Sequence, residues 1–107
     1  MKYTEDYLNF ILEQFSTIGD IMHKKMFGGV GFYKDGKMFA LLSKTGTIYL
    51  KVDDSNRADF EEKGMENFNP KKKGKGMPYY EIPVGVLEDK KEIKKWATKS
   101  YNIAKGK

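Results

Sequence analysis

Residues 26–42 read Met26-Phe27-Gly28-Gly29-Val30-Gly31-Phe32-Tyr33-Lys34-Asp35-Gly36-Lys37-Met38-Phe39-Ala40-Leu41-Leu42, and the meaning of this stretch decides the fold. Three glycines in four residues suggest a loop that cradles phosphate. Such a loop needs its glycines between a strand and a helix, so that the free amides of the helix N-terminus face the anion. Here the glycines run into Phe32-Tyr33 and then Asp35-Gly36. Asp-Gly is the signature of a type I′ hairpin turn, in which both central residues take positive φ. The stretch therefore predicts two strands and a tight turn, with the glycines marking a bulge or close backbone packing. Gly74-Lys75 lacks both the earlier glycine and the following Ser or Thr of a Walker sequence. No cofactor is expected.

Working outward, Thr4 is positioned to cap a first helix over residues 5–16, with Tyr7, Leu8, Ile11, Leu12 and Phe15 on one face. Residues 20–27 alternate as a strand, and residues 28–34 form the second. Residues 38–42 are apolar on both faces, which predicts a central strand. After a turn at Thr45-Gly46, residues 47–52 put Ile48, Leu50 and Val52 on one side, and Tyr49 and Lys51 on the other. Asp53-Asp54-Ser55 are cap candidates for a short helix ending near residue 63, with Gly64 as its stop. Residues 67–76 make a polar, basic loop. Residues 77–82 are a last strand, ended by Pro83, and Pro78 either places it at a sheet edge or stands at its start. Asp89 and Glu92 form a capping box for the final helix, whose inner face carries Ile93, Trp96, Ala97, Ser100, Tyr101 and Ala104. The fold class is thus α+β: an antiparallel meander of about four strands plus one later strand, packed with N-terminal, middle and C-terminal helices.

Composition narrows the function classes. With 107 residues, 39% hydrophobic and 33% charged, the chain is expected to be one globular domain spanning residues 1–107. No apolar run reaches the roughly 20 residues of a membrane span, and the acidic start has no signal-peptide pattern, so a cytoplasmic location is expected. Zero cysteines leave no disulfide and no thiolate, and a lone His23 leaves no transition-metal cluster. The net charge of +5 is compatible with an acidic partner, but Arg57 is the one arginine among 20 basic residues. Reading of base edges favours the arginine fork, so specific base readout is disfavoured.

Several motifs occur in a fixed order: Lys25-Met26-Phe27-Gly28-Gly29-Val30-Gly31-Phe32-Tyr33, Asp35-Gly36-Lys37-Met38-Phe39-Ala40-Leu41, Ile48-Tyr49-Leu50-Lys51-Val52-Asp53, and Phe60 before Gly64. Lys73-Gly74-Lys75, Met77-Pro78-Tyr79-Tyr80 with Pro83, Leu87-Glu88-Asp89 and Trp96 complete the set. Together they resemble the TfoX (Sxy) N-terminal domain family over essentially the whole chain. The resemblance implies a secretion-chaperone-like arrangement of sheet and helices. It also implies a link to regulators of natural competence, which act beside a cyclic-AMP-responsive activator at promoters. Those regulators are similar to this chain in their first half and carry a second, helical domain. Many members place an arginine just before Met-Phe-Gly-Gly, where this chain has Lys24 and Lys25.

No catalytic residue is assigned. His23 reads as a surface or half-buried strand residue, and Asp53, Asp54, Glu88 and Asp89 read as helix caps. The strongest candidate for contact is basic and aromatic: Lys71, Lys72, Lys73 and Lys75 beside an exposed Tyr79-Tyr80 edge, helped by Lys24 and Lys25. The expected function is a non-enzymatic interaction or regulatory domain that meets a protein partner through this patch. The alternative is a nucleic-acid-binding module using the same lysine loop. Either a monomer or a weak homodimer fits, with no membrane partner.

Overall fold

Asp35 at φ +53° and Gly36 at φ +79° close the predicted hairpin, both in the left-handed region that a type I′ turn demands. A computed structural model describes residues 3–26, 28–69 and 76–106 and sets this hairpin at the middle of a five-stranded antiparallel sheet. In chain order the elements are α1 (Glu5–Phe15) with a 3-10 turn (Ser16–Ile18), β1 (Met22–Met26), β2 (Gly29–Lys34), β3 (Lys37–Leu42) and β4 (Ile48–Lys51). Then come α2 (Arg57–Glu61), β5 (Tyr79–Glu81), α3 (Val84–Glu88) and α4 (Lys90–Ala104). Strand order equals chain order, so the doubly apolar β3 is central, as its sequence predicts.

Backbone crowding explains the glycines. A Cβ at Gly29 would lie 2.2 Å from the Leu42 carbonyl oxygen, so β2 reaches β3 this closely only without a side chain there. The bulge lies elsewhere: Phe32 pairs with Ala40 and Tyr33 with Met38, leaving Phe39 as the extra residue. This irregularity turns Phe39 and Ala40 to the same side, and both are fully buried. Phe15 of α1 meets Phe32 and Phe39 edge-on, at 5.2 and 5.1 Å between ring centres.

Helix ends follow local chemistry. Thr4 accepts from the Tyr7 amide at 3.0 Å and starts α1. Asp89 accepts from the Lys91 and Glu92 amides at 2.9 and 3.2 Å and starts α4. Glu92 does not return the bond of a full capping box: the Asp89 amide donates to Val86 O, and Glu92 lies 3.6 Å from Lys95. The start of α2 corrects the sequence reading. Asp53 folds back on Ser55, accepting from its amide at 2.7 Å, which makes an Asx turn rather than a cap. Helix α2 begins two residues past Ser55, behind a buried Asn56. Helix α3, too short for a periodic signal, was not expected.

All of the helices gather on one side of the sheet. Phe15 ties α1 to β2 and β3, Phe60 ties α2 to Tyr80 of β5, and α4 packs along β3 and β4. Val30, Phe32, Ala40, Leu42, Ile48 and Leu50 form the sheet's contribution to this core. Burial of four phenylalanines, Phe15, Phe32, Phe39 and Phe60, below 2% exposure supplies much of its apolar area. No described helix is long and apolar enough to cross a membrane.

Candidate interaction site

The two halves of the predicted contact patch sit at opposite edges of the sheet. Lys24 and Lys25 are exposed on the first edge strand, β1, and Tyr79 and Tyr80 belong to β5. Four strand spacings separate those edges, about 19 Å at ~4.8 Å each. Lys24 and Lys25 also point to opposite faces, because Lys24 pairs with Gly31 and Lys25 with Val30. Lys71, Lys72, Lys73 and Lys75 lie outside the described residues.

The two tyrosines differ. Tyr79 is 5% exposed, which corrects the expectation of an exposed aromatic pair: its ring is packed under the Lys51 side chain, whose Nζ lies 5.3 Å from the ring centre. Burial pushes its hydroxyl pKa up. Tyr80 is half-buried, with one side of its ring on Phe60 at 5.8 Å and its hydroxyl donating to Glu61 at 3.0 Å. Burial first, and then that bond to a carboxylate, raise the pKa of Tyr80.

The outer edge of β5 is occupied by the chain itself. Phe68 donates to Tyr79 O at 2.7 Å and Glu81 donates to Glu66 O at 3.0 Å, so residues 66–68 run beside the strand. Residues 70–75 lie outside the described residues, which resume at Gly76. A Cβ on Gly76, which has φ +73°, would meet Asn67 at 2.6 Å and Asn69 at 2.8 Å. Gly76 is therefore pressed against Asn67 and Asn69.

A cleft of about 600 Å³ opens at this point, lined by Val52, Asp54, Arg57, Asn67, Gly76, Met77, Pro78 and Tyr80. Arg57 is the residue that sequence reasoning noted only as the lone arginine. Its helix places it beside Tyr80, and Asp54 holds its guanidinium and raises its pKa. The i,i+3 spacing of Asp54 and Arg57 was the available signal for this pair. Met77 is 45% exposed at the rim. The cleft thus offers a planar cation, an aromatic edge and a thioether beside Asn67 and Gly76.

His23 is exposed on β1 and lines neither this cleft nor a second one near Asp53, Lys99 and Ile103. Among the described residues no group of three His, Cys, Asp or Glu side chains converges as a metal site. The described buried polar side chains serve the fold. Gln14 donates to Leu87 O at 2.8 Å, and Ser100 donates to Lys51 O at 2.8 Å. Asn56 bridges Asp53 N and Lys51 O, and Ser43 accepts from Thr47 N.

Comparison with known proteins agrees with the arrangement of motifs. The profile of the TfoX N-terminal domain matches residues 13–104. The DNA transformation protein TfoX1 of Aliivibrio fischeri is 35% identical over 69 residues, which cover 64% of this chain. The match spans 31% of that relative's length, so the likeness concerns about a third of it.

Proposed function

Because the chain belongs to the TfoX N-terminal domain family, we propose that it is a regulatory interaction domain of the DNA-uptake type, acting by surface contact and not by catalysis. Its partner is a protein carrying an acidic segment, which seats across the Arg57–Tyr80 cleft with residues 71–75 supplying positive charge. The observation that carries this reading is that Arg57 and Tyr80 line one cleft with Asn67 and Gly76, close in sequence to the run of lysines at residues 71–75. Asp54 offsets the charge of Arg57, so net attraction falls to the lysines, while Arg57, Tyr80 and Met77 provide shape and stacking. The engagement of the described buried polar groups in the fold supports recognition at the surface. The relative's name, a DNA transformation protein, supports a role in that process.

The test is a comparative pull-down from the native cell with intact protein, Arg57→Ala and Lys71/Lys72/Lys73/Lys75→Ala. Loss of a common partner in both variants is expected, and recovery of the same partners by all three proteins would sink the reading. A second reading, nucleic-acid binding by the lysine loop, predicts affinity for DNA that falls steeply with salt and vanishes in the loop variant. Titration at low salt decides between them.

A further inference from the structure

The sheet has a second face, which the helices do not use. Register assigns Met22, Lys24 and Met26 of β1, Gly31 and Tyr33 of β2, and Met38 and Leu41 of β3 to it. Tyr49 and Lys51 of β4 and Tyr79 and Glu81 of β5 also belong to it, with the Phe68 ring 4.9 Å from that of Tyr49. Met26, Tyr33, Met38, Leu41 and Tyr49 are each half-buried. A Cβ at Gly31 would lie 3.0 Å from Met26 Cε, 3.1 Å from Met38 Sδ and 3.3 Å from the Tyr33 ring, so these three side chains close over the buried glycine as one apolar, thioether-rich patch. Flexible thioethers suit a surface that closes against another.

One row of this face carries a charge pattern. Direct cross-strand partners run Lys24, Gly31, Leu41, Tyr49, Glu81 from edge to edge. A cation ends the row on β1, an anion ends it on β5, and an apolar leucine stands at the centre. Glu66, alongside Glu81, adds a second carboxylate to the acidic end. Such a row complements its own reverse. A two-fold axis along the strands exchanges the edges of a sheet, as an isologous contact requires.

We propose that the helix-free face of the sheet is an interface with a second copy of this chain, with the two-fold axis running along β3. Lys24 then faces Glu81 of the partner subunit, and Leu41 meets Leu41 of the partner subunit. Tyr49 of the partner subunit meets the Met26, Met38 and Tyr33 side chains that cover Gly31. Aligned sheets of two copies pack about 10 Å apart, which the half-buried side chains fill. The opposite alignment, with the axis across the strands, stacks Lys24 on Lys24 and Glu81 on Glu81 and is disfavoured. A face of roughly 19 Å by 18 Å projects about 350 Å². That is well under the ~800 Å² per partner of a standard stable interface, so the dimer is weak and reversible. This inference does not depend on the Arg57–Tyr80 cleft.

Sedimentation equilibrium from micromolar to millimolar concentration tests it on the intact protein. A monomer–dimer equilibrium is expected, with Lys24→Glu and Glu81→Lys each weakening it about tenfold or more. The double exchange Lys24→Glu/Glu81→Lys should restore most of the affinity, since it reverses the row without changing its complementarity. Leu41→Arg should leave a monomer with unchanged circular dichroism. A monomer throughout the concentration range would overturn the proposal. So would a dimer indifferent to all three positions, which would place the contact elsewhere, or a dimer lost on both single exchanges and not regained in the double.

Discussion

The Tyr101 hydroxyl donates a 2.6 Å hydrogen bond to Oδ2 of Asp35, pinning the last helix to a hairpin turn 66 residues earlier in the chain. Lys34 completes the clamp, with its Nζ 4.7 Å from the Tyr101 ring centre and 3.4 Å from Asp35. The Tyr101 bond, and then Lys34, hold the Asp35 carboxyl below its ordinary range, while the same bond raises the Tyr101 hydroxyl above its own.

The clamp should therefore work in a pH window. A carboxyl lowered by folding contributes stability above its unfolded pKa, near ~3.9, and loses it as pH falls through the depressed native value. A tyrosine raised by folding contributes below its unfolded pKa, near ~10, and loses it as pH rises through the native value. Thermal unfolding of the native protein and Tyr101→Phe should differ most near neutrality, and the difference should shrink at both extremes. A pH-independent gap in Tm would refute the clamp.

Glycines of the signature should rank by what surrounds them. Gly29→Ala drives a Cβ into the Leu42 carbonyl and should cost about 3 kcal/mol. Gly31→Ala meets movable side-chain ends and should cost nearer 1 kcal/mol. Gly36→Ala meets nothing within 4 Å but must hold φ +79°, a strain of ~1–2 kcal/mol. Urea midpoints of the three variants check the order, and an equal cost at Gly29 and Gly36 would contradict it.

Two buried polar groups serve a single carbonyl, Lys51 O. Ser100→Ala removes one donor and leaves the Asn56 bond at 3.2 Å, so its cost should be near 1 kcal/mol. Asn56→Ala also orphans the Asp53 amide and should cost about 2 kcal/mol. Denaturant melts of both variants provide the comparison, in which a larger effect at Ser100 would count against this assignment.

Phe15→Ala should be among the most destabilising single changes, at ~3–5 kcal/mol, because its ring is fully buried against both Phe32 and Phe39. His23→Ala, on the exposed edge strand, should stay within ~0.5 kcal/mol of the native protein. Near-equal losses would mean that the core has been misplaced.

Much of this was legible in local sequence. Asp35-Gly36 specifies its turn because few residue pairs accept two positive φ values. The alternation of Ile48, Leu50 and Val52 with Tyr49 and Lys51 assigns faces because strands repeat every two residues. Thr4 and Asp89 announce their helices through hydrogen bonds that reach only three residues along the chain. These features, with the motif order that identified the family, were set by short-range chemistry.

What needed the tertiary structure was everything that depends on which strands become neighbours. Period-two patterning tells that Lys24 and Glu81 face alternately, but not that they end one cross-strand row. Nor does it tell that Lys24 and Tyr80 stand at opposite edges. Tyr79 and Tyr80 are adjacent in sequence and similar in chemistry, yet pleating sends one beneath Lys51 and the other toward Phe60. Arg57 gained its place beside Tyr80 only when α2 packed on β5. Local propensity acts over a few residues, whereas the sheet order joins residues dozens apart, and recognition surfaces are made at that longer range.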